Sequence, residues 1–225
     1  MTHGGAAADL RHIDTWLFDL DNTLYPLDSG LAERMSAIIT DYVARITGLP
    51  RDDARGLQKR YLADHGLTLR GLMDHHGVEP DDYHSHFHQV ALDGLAPDPE
   101  LRSALLRLPG RRLIFTNSDL IHTNRVVERL GLVGVFDEVF HIGSADFTPK
   151  PSAVSFERIL AAHAIVPGRT AFFEDAERNL EPAARLGMTT ILVGPHAAAS
   201  TAPFVHHRAP ALAAFLVAAR IEEIA

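Results

Sequence analysis

The fold is decided by the stretch Thr15-Trp16-Leu17-Phe18-Asp19-Leu20-Asp21-Asn22-Thr23-Leu24-Tyr25, an apolar run that leads into two carboxylates. Residues 15–20 predict a buried strand, and the pair Asn22-Thr23 predicts the turn that ends it. Because side chains alternate along a strand, Asp19 and Asp21 are expected to reach one site at its carboxyl end. Two carboxylates this close need a cation or a shared proton if both are to stay ionised. The pattern favours either a metal-assisted nucleophile with an acid/base partner or aspartates that cap a turn.

The composition is that of an ordinary globular protein of 225 residues, with 46% hydrophobic and 22% charged residues. The net charge of −8 argues against binding to a nucleic acid polymer or an anionic membrane. The absence of cysteine excludes disulfides, thiolate metal sites and cysteine nucleophiles, and it agrees with a reducing cytoplasm. Residues 1–12 lack the apolar core of a signal peptide, and the apolar runs are too short to span a membrane. We expect a cytoplasmic protein.

Short apolar runs alternate with helical patterns over most of the chain, which predicts parallel βαβ units in a doubly wound sheet. The predicted strands are residues 15–20, 112–116, 138–142, 170–174 and 190–193. The predicted helices between them are residues 119–130, 152–163 and 176–186. Residues 194–210 are predicted to be a loop that leads into a last helix over 211–220.

The stretch between the first two strands breaks this alternation. Apolar residues over 31–46 recur at three- and four-residue spacing, which predicts an amphipathic helix. Further helices are predicted over 52–65, 67–74 and 81–92. The fold class is therefore α/β, a Rossmann-like parallel sheet core (residues 1–26 and 97–225) with an inserted all-helical cap (residues 27–96) after the first strand. Such a cap lies over the strand edge where open α/β sheets place their ligands.

Polar side chains follow three of the predicted strands at the point where each strand ends, and a lysine precedes a predicted helix. The carboxyl ends of parallel strands meet at one edge of a sheet, so these side chains are expected to converge. Prolines on both sides of the lysine hold it in a loop rather than within a helix. The residues are Asp19, Asp21, Thr116, Asn117, Lys150, Glu174 and Asp175.

Together these groups suit phosphoryl transfer. Asp19 can attack phosphorus and form an aspartyl-phosphate, which splits one difficult step into two. Asp21 can protonate the leaving oxygen and then deprotonate the attacking water. Thr116 and Lys150 can bond the phosphoryl oxygens, and backbone N–H groups beside Asn117 can add to this at the helix start.

A magnesium ion is the expected cofactor, because Mg²⁺ prefers oxygen ligands. We expect it to bridge Asp19, the backbone carbonyl of Asp21 and Asp175, with Glu174 in support. The cation would offset the repulsion between the two carboxylates of the opening motif. Each of these residues taken alone also fits a turn, a helix cap or a solvated loop. Their order and their placement at strand ends favour a catalytic site.

The four elements Asp19-Leu20-Asp21-Asn22-Thr23, Thr116-Asn117, Lys150 and Glu174-Asp175 resemble the signature motifs of the haloacid dehalogenase-like hydrolase superfamily. The resemblance spans residues 16–194, and the helical insert is similar to the superfamily's small helical cap. Dehalogenases and phosphonate hydrolases of that superfamily lack an aspartate at the second motif position. The resemblance therefore implies, through Asp21, a phosphatase that acts on a phosphate ester.

A closer resemblance is to the pyrimidine 5′-nucleotidase group, carried by residues 18–26, 68–72 and 173–180. It implies hydrolysis of nucleoside monophosphates, with pyrimidines favoured, and dependence on magnesium. Asn179 stands where many superfamily phosphatases have a further acid, and its carbonyl oxygen can bind the metal or hold a metal-bound water. Arg70 on the cap is a candidate for substrate binding, since its cationic fork suits a phosphate or a base carbonyl. The alternative for Arg70 is an exposed helical arginine.

Several alternatives stay open at this point. The same chemistry could act on a sugar phosphate or phosphoglycolate, the protein could be a phosphomutase, or it could be a non-catalytic binding or regulatory protein on the same fold. The expected partner is a small phosphate ester, and the oligomeric state is open. His84 and His88 would share a helix face and could hold zinc or nickel, although surface histidines are commoner.

Overall fold

The computed structural model describes residues 7–222, and its centre is a parallel sheet. The strands are β1 (Thr15–Phe18), β2 (Arg111–Phe115), β3 (Glu138–Phe140), β4 (Thr170–Glu174), β5 (Thr189–Val193) and β6 (His207–Ala209). They lie in the order β3-β2-β1-β4-β5-β6, and every neighbouring pair is parallel. β1 therefore lies between β2 and β4. This arrangement confirms the predicted α/β fold class.

Helices fill the connections between the strands. Between β1 and β2 lie α1 (Leu31–Thr47), α2 (Arg51–His65), α3 (Thr68–His76), α4 (Pro80–Ser85) and α5 (Pro99–Leu106). The later helices are α6 (Leu120–Arg129), α7 (Ala153–His163), α8 (Glu177–Arg185) and α9 (Leu212–Ala218), and short 3₁₀ helices cover Leu27–Ser29, Pro167–Arg169 and Ala197–Ala199. None of the helices formed by residues 7–222 is long and apolar enough to cross a membrane.

Apolar clusters cover both faces of the central strands, which explains why residues 16–18 of β1 are all apolar. Trp16 and Phe18 point to one face, where the Phe18 ring stacks on Phe173 with centroids 4.6 Å apart. Leu17 points to the other face and joins a second apolar cluster with Phe172. The chain leaves this buried strand at Asp19, so the first charged side chain after the strand lies at the carboxyl edge of the sheet.

The helices α1–α4 form an apolar cluster of their own. Its buried members include Tyr42, Val43, Ala54, Tyr61, Leu69, Leu72, Val78, Tyr83 and Phe87. By contrast, Leu31, Val90 and Leu95 pack into the cluster of the sheet. The two ends of the insert are thus anchored in the sheet core. The predicted domain bounds at 27 and 96 stay a prediction, and residues 1–6 and 223–225 of the predicted core lie outside the described residues.

Three elements differ from the sequence-based expectation. β6 lies within the predicted loop 194–210, because three residues paired to an edge strand are too few to show a periodic pattern. α5 was not predicted, although Asp98 caps it by accepting a bond from the backbone N–H of Leu101 at 2.8 Å, and Pro99 occupies its first turn. The helix expected over 81–92 ends at Ser85.

Gly110 offers a test of how β1 and β2 are aligned. It has a φ of 75°, and a β-carbon added there would lie 2.0 Å from the backbone oxygen of Asp14, which accepts a bond from the backbone N–H of Arg111 at 2.9 Å. We expect Gly110→Ala to lower the free energy of unfolding by about 2 kcal/mol or more, because backbone must move. Urea unfolding measures this change.

Gly168→Ala is the matched control, since no described atom lies within 4 Å of a β-carbon added there. We expect it to change stability by less than about 0.5 kcal/mol. An equal loss in both variants would show that the close approach at Gly110 does not constrain the two strands.

Candidate active site

The side chain of Lys150 lies at the centre of the carboxyl edge of the sheet and is 1% exposed. Its Nζ donates hydrogen bonds to Asp19 Oδ1 at 2.7 Å, to Glu174 Oε2 at 2.8 Å and to the backbone oxygen of Phe115 at 2.7 Å. An ammonium group has three hydrogens, so all of its donors are engaged. In this arrangement Lys150 offsets the charge of the Asp19 carboxylate and fixes its orientation. Its predicted direct bond to a phosphoryl oxygen stays a prediction.

Asn117 holds the loop that carries Lys150. Its Oδ1 accepts a bond from the backbone N–H of Lys150 at 2.9 Å, and its Nδ2 donates to the backbone oxygen of Lys150 at 3.2 Å. The flanking Pro149 and Pro151 have no backbone N–H, so within residues 149–151 only Lys150 can donate such a bond, and Asn117 accepts it. Asn117 therefore serves the site by fixing Lys150, and its predicted contact with substrate stays a prediction.

Asp19 is the first residue after β1 and is 6% exposed. Its backbone N–H donates to the oxygen of Phe173 at 2.9 Å, and its Oδ2 accepts a bond from the Thr23 hydroxyl at 3.3 Å. Burial, together with the nearby charge of Glu174, raises the pKa of Asp19 to about 7, although Lys150 opposes this shift. Oδ2 is the oxygen that does not bond the lysine.

Asp19, Glu174 and Asp175 place oxygens within 4.8 Å of one another. Burial is the main reason that the pKa of Glu174 is raised and that the pKa of Asp175 rises to about 6. Three carboxylates thus face one ammonium group, so the cluster carries more negative charge than its surroundings balance. This excess is what a divalent cation would relieve.

The donors available at this cluster fit magnesium. Asn179, in the first turns of α8, has a buried Oδ1 that lacks a hydrogen-bond partner among residues 7–222. Carboxylate and amide oxygens are the kinds of ligand that Mg²⁺ takes in proteins. Both oxygens of Glu174 are already engaged, Oε2 by Lys150 and Oε1 by the backbone N–H of Ala176 at 3.1 Å. Asp175 and Asn179 are therefore better candidates than Glu174 to hold the ion, together with Asp19, whose Oδ2 accepts only the longer 3.3 Å bond from Thr23.

The carboxylate of Asp21 has a separate set of partners. It accepts bonds from the Ser118 hydroxyl at 2.5 Å, the Tyr25 hydroxyl at 2.7 Å and Nε2 of His122 at 3.3 Å. Burial alone would raise the pKa of Asp21, but these hydrogen bonds outweigh it and hold the pKa at about 2. The side chain stays 35% exposed, so the carboxylate is fixed and still accessible.

The strand argument for Asp19 and Asp21 needs correction. β1 ends at Phe18, and Asn22 has a φ of 61°, so a turn rather than an extended strand carries Asp21. The two carboxylates share no hydrogen-bond partner among the described residues. The Asp21 side chain also lies outside the oxygen cluster, and its predicted metal contact through the backbone carbonyl stays a prediction.

Thr116 follows β2 and is 2% exposed. Its Oγ1 accepts a bond from the backbone N–H of Ser118 at 3.0 Å. A hydroxyl has one hydrogen to donate as well as two lone pairs, so this contact leaves its donor available. Thr116 thus lies at the sheet edge with its hydroxyl hydrogen available, and its predicted bond to a phosphoryl oxygen stays a prediction.

Arg70 lies on α3 and is engaged by a neighbour on the same helix. Its Nε and Nη2 donate to the two oxygens of Asp74 at 3.1 and 2.6 Å. Together with Pro149, Pro151 and Arg178 it lines a cavity of about 600 Å³ beside the loop that carries Lys150. The predicted orientation of Arg70 toward the core site stays a prediction, and in this structure its guanidinium is paired with Asp74. Its role in substrate binding stays a prediction.

The histidines of the insert do not form the suggested metal site. α4 ends at Ser85, so His84 and His88 do not share a helix face, and Nε2 of His88 lies 3.3 Å from Asp119 Oδ1. Among residues 7–222, the one group of three or more side chains with metal-binding spacing is Asp19, Glu174 and Asp175. The zinc or nickel alternative therefore gains no support from the described residues and stays a hypothesis.

Sequence reasoning missed the three residues that hold Asp21. Tyr25 follows it by four positions, whereas Ser118 and His122 are about 100 positions away. One signal was available for His122, because it occupies the buried face of α6 together with Thr123 and Val126. A histidine on such a face needs a polar partner, but the sequence does not name it.

This chain matches the model of one protein family over most of its length. The model of the haloacid dehalogenase-like hydrolases matches residues 13–187. A yeast protein, phosphate metabolism protein 8 of Saccharomyces cerevisiae, is 27% identical over 193 residues, which cover 79% of this chain and 60% of that protein. This chain therefore spans less than two thirds of the yeast protein's length.

Solved structures show the same fold at low identity. A HAD phosphatase from Thermococcus onnurineus has a TM-score of 0.59 at 17% identity, covering 92% of this chain and all of the other. L-2-haloacid dehalogenase from Xanthobacter autotrophicus has a TM-score of 0.55 at 17% identity, covering 91% of this chain and 97% of the other. One phosphatase and one dehalogenase share the fold, so the fold does not decide between their reactions.

The central ion pair can be tested by removing its cation. We expect Lys150→Met to lower the free energy of unfolding by about 3–5 kcal/mol at neutral pH, because two buried carboxylates lose their partner. Urea unfolding with circular dichroism measures this loss. Lys59→Met, at an exposed position on α2, is the control and should change stability by less than about 0.5 kcal/mol. Similar small losses in both variants would contradict the structural role of Lys150.

Proposed function

The chain belongs to the haloacid dehalogenase-like hydrolases, and from this membership and the site we propose that it is a magnesium-dependent phosphomonoesterase. The observation that carries the proposal is that Asp19 and Asp21 have different burial and different hydrogen-bond partners. Asp19 is buried and paired with Lys150 at 2.7 Å, as suits a nucleophile. Asp21 is held by three donors and is 35% exposed, as suits a group that exchanges protons with a substrate and with water.

In the first step Asp19 attacks phosphorus and the ester oxygen leaves. Oδ2 is the attacking atom, since Oδ1 accepts the short bond from Lys150, whereas Oδ2 accepts only the longer bond from the Thr23 hydroxyl at 3.3 Å. This forms an aspartyl-phosphate on Asp19 and transfers the proton of Asp21 to the leaving oxygen. The negative charge of a bound phosphate favours the protonated form of Asp21, because like charges disfavour ionisation.

In the second step Asp21 accepts a proton from water, which attacks the aspartyl-phosphate and releases phosphate. Thr116 donates its hydroxyl to a phosphoryl oxygen, where negative charge develops. A magnesium ion held by Asp19, Asp175 and Asn179 would supply positive charge against the phosphoryl oxygens. Lys150 favours the ionised form of Asp19 before the first step and holds the side chain in place through both steps.

For the substrate we propose a pyrimidine nucleoside monophosphate. A cavity of about 380 Å³ lies between the insert and the sheet, lined among others by His84, Ile121, His141 and Phe147. Its wall includes Asp119, the neighbour of the Ser118 that bonds Asp21. A cavity that combines aromatic faces with polar ring edges suits a flat heterocycle. The cavity and the resemblance to pyrimidine 5′-nucleotidases support this substrate class.

The proposed nucleophile and substrate are tested together by phosphate release with magnesium across nucleotides and sugar phosphates. We expect a preference for UMP and CMP, and a loss of at least about 10³-fold in kcat for Asp19→Asn, because an amide cannot form the intermediate. Asp93→Asn, whose side chain is 81% exposed, is the control and should keep full activity. Preference for sugar phosphates would contradict the substrate, and an active Asp19→Asn variant would contradict the nucleophile.

The cation requirement is tested by chelation. We expect EDTA to abolish phosphate release and added Mg²⁺ to restore it, since the cluster alone leaves excess negative charge. Asp175→Asn should raise the half-saturating Mg²⁺ concentration at least about tenfold, because one charged ligand is lost. Asp146→Asn, at a side chain that is 82% exposed, should leave that concentration unchanged. Full activity in EDTA would contradict the magnesium proposal.

A further inference from the structure

His122 is a buried histidine that none of the proposed chemical steps uses. It lies in the first turn of α6 and is 1% exposed. Its Nε2 lies 3.3 Å from Asp21 Oδ1, and its Nδ1 is buried without a hydrogen-bond partner among the described residues. An ionised carboxylate only accepts hydrogen bonds, so Nε2 must be the donor. Within residues 7–222, the one polar contact of this ring is therefore the contact to Asp21.

The backbone of His122 is tied to the loop that follows β2. Asp119 caps α6 and accepts bonds from the backbone N–H groups of Ile121 at 2.8 Å and His122 at 3.1 Å. The loop from Thr116 to Asp119 also carries Ser118, which bonds the other oxygen of Asp21. One loop and one helix end thus place two donors on the same carboxylate.

The three donors are arranged so that the carboxylate cannot rotate without losing bonds. Tyr25 and His122 both bond Oδ1, whereas Ser118 bonds Oδ2. Tyr25 belongs to the same turn as Asp21 and moves with it. His122 belongs to a helix on the neighbouring strand connection, so it fixes Asp21 relative to the rest of the site.

We infer that His122 is a positioning residue that holds the Asp21 carboxylate where it meets the leaving oxygen. This inference rests on the proposed function, in which Asp21 gives and takes the proton. A general acid contributes only when it lies within hydrogen-bond reach of the atom it protonates. Loss of His122 should therefore impair proton transfer to the leaving group and leave the attack by Asp19 intact.

The test compares two classes of phosphate ester in His122→Leu and His122→Gln. Protonation is needed when an alkyl oxygen leaves, but a nitrophenolate leaves without it. The parameter kcat/KM covers only the steps up to the aspartyl-phosphate, so it isolates the acid role of Asp21. We expect His122→Leu to lower kcat/KM for a nucleoside monophosphate by about 10- to 100-fold and to leave kcat/KM for nitrophenyl phosphate unchanged.

His122→Gln supplies the rescue, because its amide nitrogen can take the place of Nε2 and donate to Asp21. It should restore kcat/KM for the nucleoside monophosphate to near the wild-type value. His163→Leu, on α7 and packed against Phe140, is the control for loss of a histidine elsewhere and should keep full activity on both esters. If circular dichroism shows that His122→Leu does not fold, His122→Asn replaces it, because the asparagine side chain is too short to reach Asp21.

The outcomes separate the inference from the proposed function. Provided that the wild-type protein is active, an equal fall of kcat/KM for both esters in His122→Leu would overturn the positioning role of His122. No fall for either ester would overturn it as well. Failure of Gln to restore activity would also overturn it, since the donor would then not be what matters. A wild-type protein that hydrolyses neither ester would overturn the proposed function, and the inference with it.

Discussion

The buried ammonium group of Lys150 is the interaction on which the rest of the site depends. Its three hydrogen bonds end at Asp19 after β1, at the Phe115 oxygen of β2 and at Glu174 of β4. These three strands are neighbours in the sheet, so one cation joins their carboxyl ends. A buried charge is tolerated only when its partners are complete, and this requirement holds the strand ends in one arrangement.

The same requirement explains the electrostatics of the cluster. One ammonium group faces Asp19, Glu174 and Asp175, and burial raises the pKa of each carboxyl. The site is thus short of positive charge, in a protein whose net charge is already −8. Oxygen ligands within 4.8 Å of one another and a buried amide oxygen at Asn179 suit a hard divalent cation.

Asp19 and Asp21 are chemically identical and only one residue separates them, yet their surroundings give them opposite properties. Burial beside Glu174 raises the pKa of Asp19 to about 7, whereas hydrogen bonds from His122, Ser118 and Tyr25 hold that of Asp21 at about 2. Paired groups whose environments move their pKa values apart are typical of acid/base sites. Here the difference comes from the partners, since the two side chains share none among the described residues.

The sequence by itself determined the α/β fold class, most of the strands and the set of polar residues at the strand ends. These follow from local patterns, because an apolar run predicts a buried strand and a polar residue after it predicts the edge of the sheet.

Only the tertiary structure decided which side chains become partners. Lys150 meets Asp19 across 131 positions and His122 meets Asp21 across 101 positions, and no local pattern records such pairs. The strand order brings them together, and the order depends on packing of the whole chain. For the same reason the sequence did not predict β6, a three-residue strand defined only by its pairing with β5. It also did not predict that α4 ends early, at Ser85.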